Sequence, residues 1–352
     1  MTKSILIIAL GAFGATALVK AQAGRTGPGV QAAQDAKEPE VLATCKVPPP
    51  RPANPGQGRG AQNAPPPGPR EYTVKEIPGV IAAGQKWTEV WKTDGNNADG
   101  IIATKDGGIL LAQNDKSDVL KLDKDGKESV AYTGTNTGGA LSMSTKGVLF
   151  LNNRGLREEI IELSPKRKVF TNKYNGDPLD CIGGVLNDLT ADSKGGVYFT
   201  MGGLFYANPK GVITKYGDNL RTNGIILSRD EKTLYVTNGP KIAAFDVQKD
   251  GSLTNQRDFA NLEGGGNGDG STIDSEGRLY VTSNPGIQVF SPDGKYLGLI
   301  PTPRNVISTA FSGPGKKTLY AVVFVREGNP PQAFDQIISI PMLSQGFKGR
   351  AK

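Results

Sequence analysis

Apolar residues in this chain come in short runs, and a polar turn interrupts each run before a helical period can establish itself. From about residue 98 onward the runs recur as one phrase: a polar opener, a short apolar strand, a turn rich in Asp, Gly and Lys, and a second strand. One copy opens at Asn187-Asp188-Leu189 and closes at Val197-Tyr198-Phe199-Thr200; the next opens at Asn223-Gly224-Ile225 and closes at Leu234-Tyr235-Val236-Thr237. Further copies open at Asp99-Gly100-Ile101, Gly139-Ala140-Leu141 and Asp269-Gly270-Ser271, and a looser one near Asn305-Val306-Ile307. Runs rich in Val, Ile, Leu, Tyr and Phe between such turns predict strands, and the chain reads as all-β.

Taking Ile101, Leu141, Leu189, Ile225, Ser271 and Ser308 as equivalent points, the spacings are 40, 48, 36, 46 and 37 residues. Repeats of about 40 residues with several short strands each predict a six-bladed β-propeller over residues 71–352. The fourth unit predicts strands at Gly224–Leu227, Thr233–Thr237, Lys241–Asp246 and Arg257–Phe259. The sixth ends at Gln336–Pro341 and lacks an outer strand. The early alternating stretch Trp87–Trp91 is expected to supply it, closing the ring and covering an exposed edge.

Ahead of the repeats the pattern changes twice. Lys3, the apolar stretch Ile5–Val19 and Ala21-Gln22-Ala23 predict an export signal over residues 1–23, too short to span a bilayer, so no stable membrane span is expected once it is cleaved. Residues 24–70 read as a disordered linker: nine of the 24 residues from Val47 to Arg70 are proline, and little there can build a core. The expected location is periplasmic or secreted. In that setting Cys45 and Cys181 either pair or stand as two unrelated thiols.

The net charge of +7 suggests an anionic partner until it is located. Residues 1–70 hold eight Lys/Arg against three Asp/Glu, so the repeats carry only about +2. With no basic, aromatic-laced stripe, nucleic-acid binding is not expected. The chain has no histidine and two cysteines. That removes Ser-His-Asp chemistry and His- or thiolate-built metal sites, so any metal here must be held by oxygen.

In a propeller the first strand of each blade lines the central channel, and the residues just ahead of those strands gather around the axis. Two residues before the equivalent points stand Asp99, Gly139, Asn187, Asn223, Asp269 and Val306. Four of six are Asp or Asn. Asp-Gly and Asn-Gly are ordinary turn formers, and Asp125-Gly126 and Asp293-Gly294 fall between strands as turns. Four carboxylate and amide side chains at one position of the repeat are a different matter. They predict a site for a hard divalent cation, calcium first, with magnesium or zinc open.

These residues resemble the SMP-30/gluconolactonase/LRE-like family, six-bladed propellers that include metal-dependent lactonases. The likeness runs from about residue 96 to 323 and is carried by Asn187-Asp188, Asn223-Gly224-Ile225, and Asp269-Gly270 with Gly277-Arg278-Leu279-Tyr280-Val281. The resemblance implies Asp99, Asn223 and Asp269 as metal ligands, with Asn187 beside the metal and the substrate. It departs in two places. The first ligand is Asp99 in Asp-Gly-Ile where the family favours Glu-Gly-Pro, and Val185 stands where sugar-lactone members can carry Arg.

The implied function is an exported hydrolase that opens a cyclic ester with a metal-activated water, taking a small-molecule substrate. Asp269 is the first candidate base and Asp188 the second. Asn187, Arg221 and Arg304 are candidate substrate contacts. Two alternatives stand beside it: a non-catalytic ligand- or protein-binding propeller with a structural calcium, and a phosphotriesterase-like hydrolase. The oligomeric state is open.

Overall fold

Each of the first five repeats folds into one four-stranded antiparallel sheet whose strands follow each other in sequence. The computed structural model describes residues 38–47, 49, 68–93, 98–328 and 332–352. The expected export signal and most of the expected linker lie outside them. The blades begin with inner strands Ala98–Ala103, Leu141–Met143, Leu189–Ala191, Thr222–Leu227, Ser271–Ile273 and Asn305–Ser312. In the fourth blade the other strands are Thr233–Asn238, Lys241–Val247 and Leu253–Asn261, within a few residues of the expected ones. The sixth sheet takes its outer strand from the start of the domain. Thr88–Lys92 pairs antiparallel with Gln332–Pro341, Thr88 opposite Ser339 and Lys92 opposite Gln336. The fold is the expected six-bladed β-propeller.

Packing follows the alternation. Side chains from the two faces of each sheet meet the neighbouring blades in six apolar clusters, one per blade junction. Tyr198, Leu204 and Tyr206 of the third blade pack with Ile225, Leu227, Leu234 and Phe245 of the fourth; Ile101, Leu111 and Leu122 of the first meet Ala310, Val322 and Ile337 of the sixth. Each fully buried Leu, Ile or Phe contributes about 1.5–3 kcal/mol, and a ring leaves no sheet without two such junctions. Between the fifth and sixth blades the cluster is extended by Val74, Ile77, Val80 and Ile81 from the segment preceding the outer strand.

Two tails are tied to the ring. Within the stretch read as linker, Glu38–Leu42 forms one helical turn with Val41 buried. A turn that short is not stable alone; the Cys45–Cys181 disulfide holds it against the connection between the second and third blades. The pairing left open by the sequence is therefore made.

The second tail, residues 342–352, crosses the propeller where the inner strands end. Leu343 donates to the Val80 carbonyl at 2.9 Å, Ser275 to Gln345 at 2.7 Å, Gly346 to Lys316 at 2.8 Å, and Met143 and Ala351 exchange bonds of 3.0 and 3.2 Å. Ser275 and Met143 stand at the finishing ends of their inner strands, and Asp99, Asn187, Asn223 and Asp269 at the starting ends. The tail therefore covers the mouth opposite the polar ring. Among the described residues no helix is long and apolar enough to cross a membrane.

Candidate functional site

The inner strands crowd so closely at their starts that the glycine of each Asp-Gly or Asn-Gly opener has no room for a side chain. A Cβ on Gly224 would lie 2.0 Å from the Asp269 carbonyl oxygen, and one on Gly100 2.6 Å from that of Gly139. Neither glycine has a positive φ. These Asp-Gly and Asn-Gly pairs are therefore not turns: glycine lets adjacent backbones touch, and the preceding polar side chain is left facing the axis. By contrast Gly126 and Gly294, in the hairpins, have φ of 80° and 88° and make the turns expected of them.

A narrow cavity on the axis is lined by Asp99, Asn187, Asp188 and Asp269, together with Arg154, Ser308 and Lys352. Asn223 stands behind it: its amide oxygen accepts from Asn187 Nδ2 at 2.7 Å, and its side chain donates to the Asp269 carboxylate. The four residues singled out by their shared position in the repeat are thus brought together. Asp269 is held in an unusual state. Burial first, and then the nearby Asp99 and Asp188 carboxylates, push its pKa well above the ordinary 3.8.

Asp188 is differently placed. Its Oδ1 accepts the Leu189 N–H at 2.8 Å and its Oδ2 the Ile225 N–H at 2.9 Å and the Lys352 ammonium. Both oxygens of Asp188 are thus already engaged, whereas Asp269 has the Asn223 amide as its side-chain partner. Arg221 and Arg304 do not line the cavity. Arg221 is exposed, its backbone N–H bonded to Asn238 Oδ1 at 2.7 Å, and Arg304 is paired with Glu327.

Two cavity residues have no counterpart in the sequence reading. Arg154, 1% exposed, follows the second strand of the second blade and turns its guanidinium onto the axis. There it pairs with Asp99, donates from Nε to the Leu186 carbonyl at 2.9 Å, and reaches the carbonyl and, at 3.2 Å, Oδ1 of Asn187. A trace of it is visible in the repeat. Gly139 fills the one ring position with no side chain, and a Cβ there would fall 1.8 Å from Arg154 Cζ. Lys352 arrives from the far mouth on the second tail, outside any repeat, so no periodicity could have located it.

Among the described residues no three Asp, Glu, His or Cys side chains group in metal-binding fashion, so an ion here would depend on amide oxygens. The donor set of Asp99 and Asp269 carboxylates with Asn187 and Asn223 amides is one that a hard cation accepts. The charge balance favours it too: three carboxylates face two cations, and among the described residues Arg154 pairs with Asp99 and Lys352 with Asp188, which leaves Asp269 without an ion pair of its own. The residues fit calcium. Arg154 now holds Asp99 and Asn187, two of the four.

A family model described as the SMP-30/Gluconolactonase/LRE-like region matches residues 130–324, more than half of the chain. The gluconolactonase of Zymomonas mobilis is 28% identical over 214 residues, 51% of this chain and 59% of that one, so the match spans under two thirds of that relative. The lactonase drp35 of Staphylococcus haemolyticus is 26% identical over 248 residues, 62% of this chain and 73% of the other. Among solved structures, a Xanthomonas campestris gluconolactonase superposes with a TM-score of 0.64 at 22% identity, covering 80% of this chain and 99% of its own. A calcium-binding regucalcin from Agrobacterium tumefaciens gives 0.56 at 16%, covering 72% and 94%. These last two are likenesses of fold.

Proposed function

The chain belongs to the SMP-30/gluconolactonase/LRE-like family, and on that premise we propose that it is an exported, calcium-dependent lactonase working at the axial cavity. The observation that carries the proposal is Asp269, a carboxylate raised well above its ordinary pKa inside a ring of oxygen donors. Burial and the neighbouring carboxylates make Asp269 a stronger proton acceptor than an ordinary carboxylate. The two curated relatives named above are called a gluconolactonase and a lactonase, which points to a cyclic ester as substrate. Export is supported by the Cys45–Cys181 bond, which belongs to an oxidising compartment.

Asp99, Asn187, Asn223 and Asp269 would hold the calcium. When bound, it supplies positive charge that polarises the ester carbonyl and stabilises the developing oxyanion. Asp269 takes the proton from the attacking water as its oxygen bonds to the acyl carbon. The ring C–O bond breaks, and the same carboxyl returns the proton to the leaving oxygen, giving the hydroxy acid. Asn223 keeps the Asp269 carboxylate oriented, and Asp188, tied into two backbone N–H groups, acts as structure.

The test is calcium titration by calorimetry alongside lactone hydrolysis in a pH-stat, wild type against Asp269→Asn. Loss of a general base costs on the order of 10²–10⁴-fold in rate, so hydrolysis is expected to fall about a thousandfold, with weaker calcium binding. A second reading, a ligand-binding propeller without turnover, is favoured by the Arg154–Asp99 pair, which satisfies part of the ring without any ion. Calcium binding with no hydrolysis across a lactone panel would select it.

A further inference from the structure

The chain between 342 and 352 does more than cover a mouth. Its course leads to Lys352, whose ammonium donates to Asp188 Oδ2 and, at 2.5 Å, to the Ile225 carbonyl. Asp188 belongs to the start of the third blade. Its two oxygens accept the N–H of Leu189, in the third blade, and of Ile225, in the fourth. Lys352 therefore closes a triangle with Asp188 and Ile225 across one blade junction. The ring amides straddle the same junction, Asn187 on the third blade donating to Asn223 on the fourth at 2.7 Å. Thr272 Oγ1 donates to the Lys352 carbonyl at 3.0 Å and fixes the backbone from which the side chain rises.

We propose that Lys352 is the positioning residue of this site: delivered through the far mouth by residues 342–352, it clamps Asp188 onto the fourth blade and so sets the spacing of Asn187 and Asn223. The repeat bridges the junction through the Ile225 N–H and Thr200 Oγ1, and Lys352 adds the cation that pairs with Asp188. The carboxylate–N–H contacts alone would leave Asp188 buried with its charge unpaired, a costly arrangement that side-chain rotation or local opening would relieve. The inference deepens the calcium-dependent reading and rests on it for one of its two readouts.

The two possible roles of a buried cation near an ion site predict opposite signs. If Lys352 acted only through its charge, its removal would draw calcium in more tightly. If it positions the ring, removal loosens Asn187 and Asn223, and calcium binds more weakly. The experiment compares wild type, Lys352→Met and Lys316→Met in the full chain. Lys316, whose Nζ donates to the Phe347 carbonyl at 2.7 Å, anchors the same tail away from the cavity and controls for general loosening. Amide hydrogen exchange reads the Leu189 and Ile225 N–H groups, and calorimetry reads calcium.

Lys352→Met is expected to speed exchange at those two amides at least tenfold over Lys316→Met and to raise the calcium Kd about tenfold. Unchanged exchange at Leu189 and Ile225, or tighter calcium binding, overturns the positioning role. If wild type binds no calcium, the calcium-dependent reading fails by itself, and the exchange comparison still decides whether Lys352 is the clamp.

Discussion

At the starting end of the channel, polar side chains from the openers of four blades converge, and Arg154 enters among them from the side. At the finishing end, a single segment lies across the strand ends and bonds to them mainly through its backbone. Each end buries an arginine, and the two are differently partnered. Arg154 faces a carboxylate, Asp99, whereas Arg350 donates from Nη2 to the carbonyls of Leu227 and Ser228 and stands 3.6 Å from Glu231. Burial lowers the pKa of Arg350 to about 10 in spite of Glu231 and Asp192. At one end the buried pair sits within the axial ring; at the other the pair with Glu231 is longer and the guanidinium rests chiefly on backbone carbonyls.

The largest effect that would break this contrast is at Arg154. Arg154→Met strands a mostly buried Asp99 beside Asp269, and removing one partner of a buried pair costs about 3–5 kcal/mol. Chemical denaturation is expected to show a loss of about 3 kcal/mol. Arg350→Met removes hydrogen bonds from two carbonyls and a 3.6 Å pair with Glu231, whose carboxylate keeps the Ser193 N–H and hydroxyl as donors, and about 1.5–2 kcal/mol is expected. Equal losses would mean that the ring gains nothing special from its carboxylate. Added calcium sharpens the test, because an ion taken up by the ring offsets the loss at Arg154 and leaves that at Arg350 untouched.

A middle-sized effect separates the tails. The Cys45–Cys181 bond joins points 136 residues apart beside the connection that leads to Asn187. Cys45→Ser with Cys181→Ser is expected to lower stability by about 2 kcal/mol, the low end for a native disulfide, because it frees only a short helix. Exchange protection across residues 342–352 should stay as it was. A loss of protection at the far end would show the two ends to be mechanically coupled.

How much of this was legible in the chain follows from what repeats and what does not. The blade count and the ring of Asp99, Asn187, Asn223 and Asp269 depend on residues that recur at one place in each unit, and the closing strand near Trp87 follows from the gap they leave in the sixth. Position in a repeat converts directly to position around an axis. Arg154 breaks that correspondence: it is off the opener, and its only sign is the glycine at 139 that makes space for it. Lys352 and the segment before it belong to no unit, and their placement is a tertiary fact. Arg221 and Arg304 failed for the opposite reason. Each stands just ahead of its inner strand, Thr222–Leu227 or Asn305–Ser312, in a connection whose course the strand period does not set.

The smallest effect is in the pH dependence of stability, and it distinguishes the ring from the blade wall next to it. Asp335 is fully buried in the sixth blade, accepts the Ala98 N–H, and like Asp269 is pushed well above its ordinary pKa, first by burial. Below the ordinary value of 3.8 these groups are protonated in both folded and unfolded chains and contribute no slope. Above it the unfolded chain releases protons that the folded one keeps, so stability falls as pH rises, by about 1.4 kcal/mol per unit for each group until its raised pKa is passed. Other carboxylates held low, such as Asp106 at about 2, lose their advantage only below that window. In calcium-free protein, denaturation curves from pH 4 upward should therefore show a decline of about 1.4 kcal/mol per unit for each of the two groups while it stays protonated. Asp335→Asn keeps an acceptor for Ala98 and should flatten part of it with or without calcium. Calcium should flatten the rest, since an ion beside Asp269 makes its ionised form the favoured one. A decline that Asp335→Asn removes entirely, and that calcium does not change, would place all of the strain in the blade wall and leave the ring balanced by Arg154 and Lys352 alone.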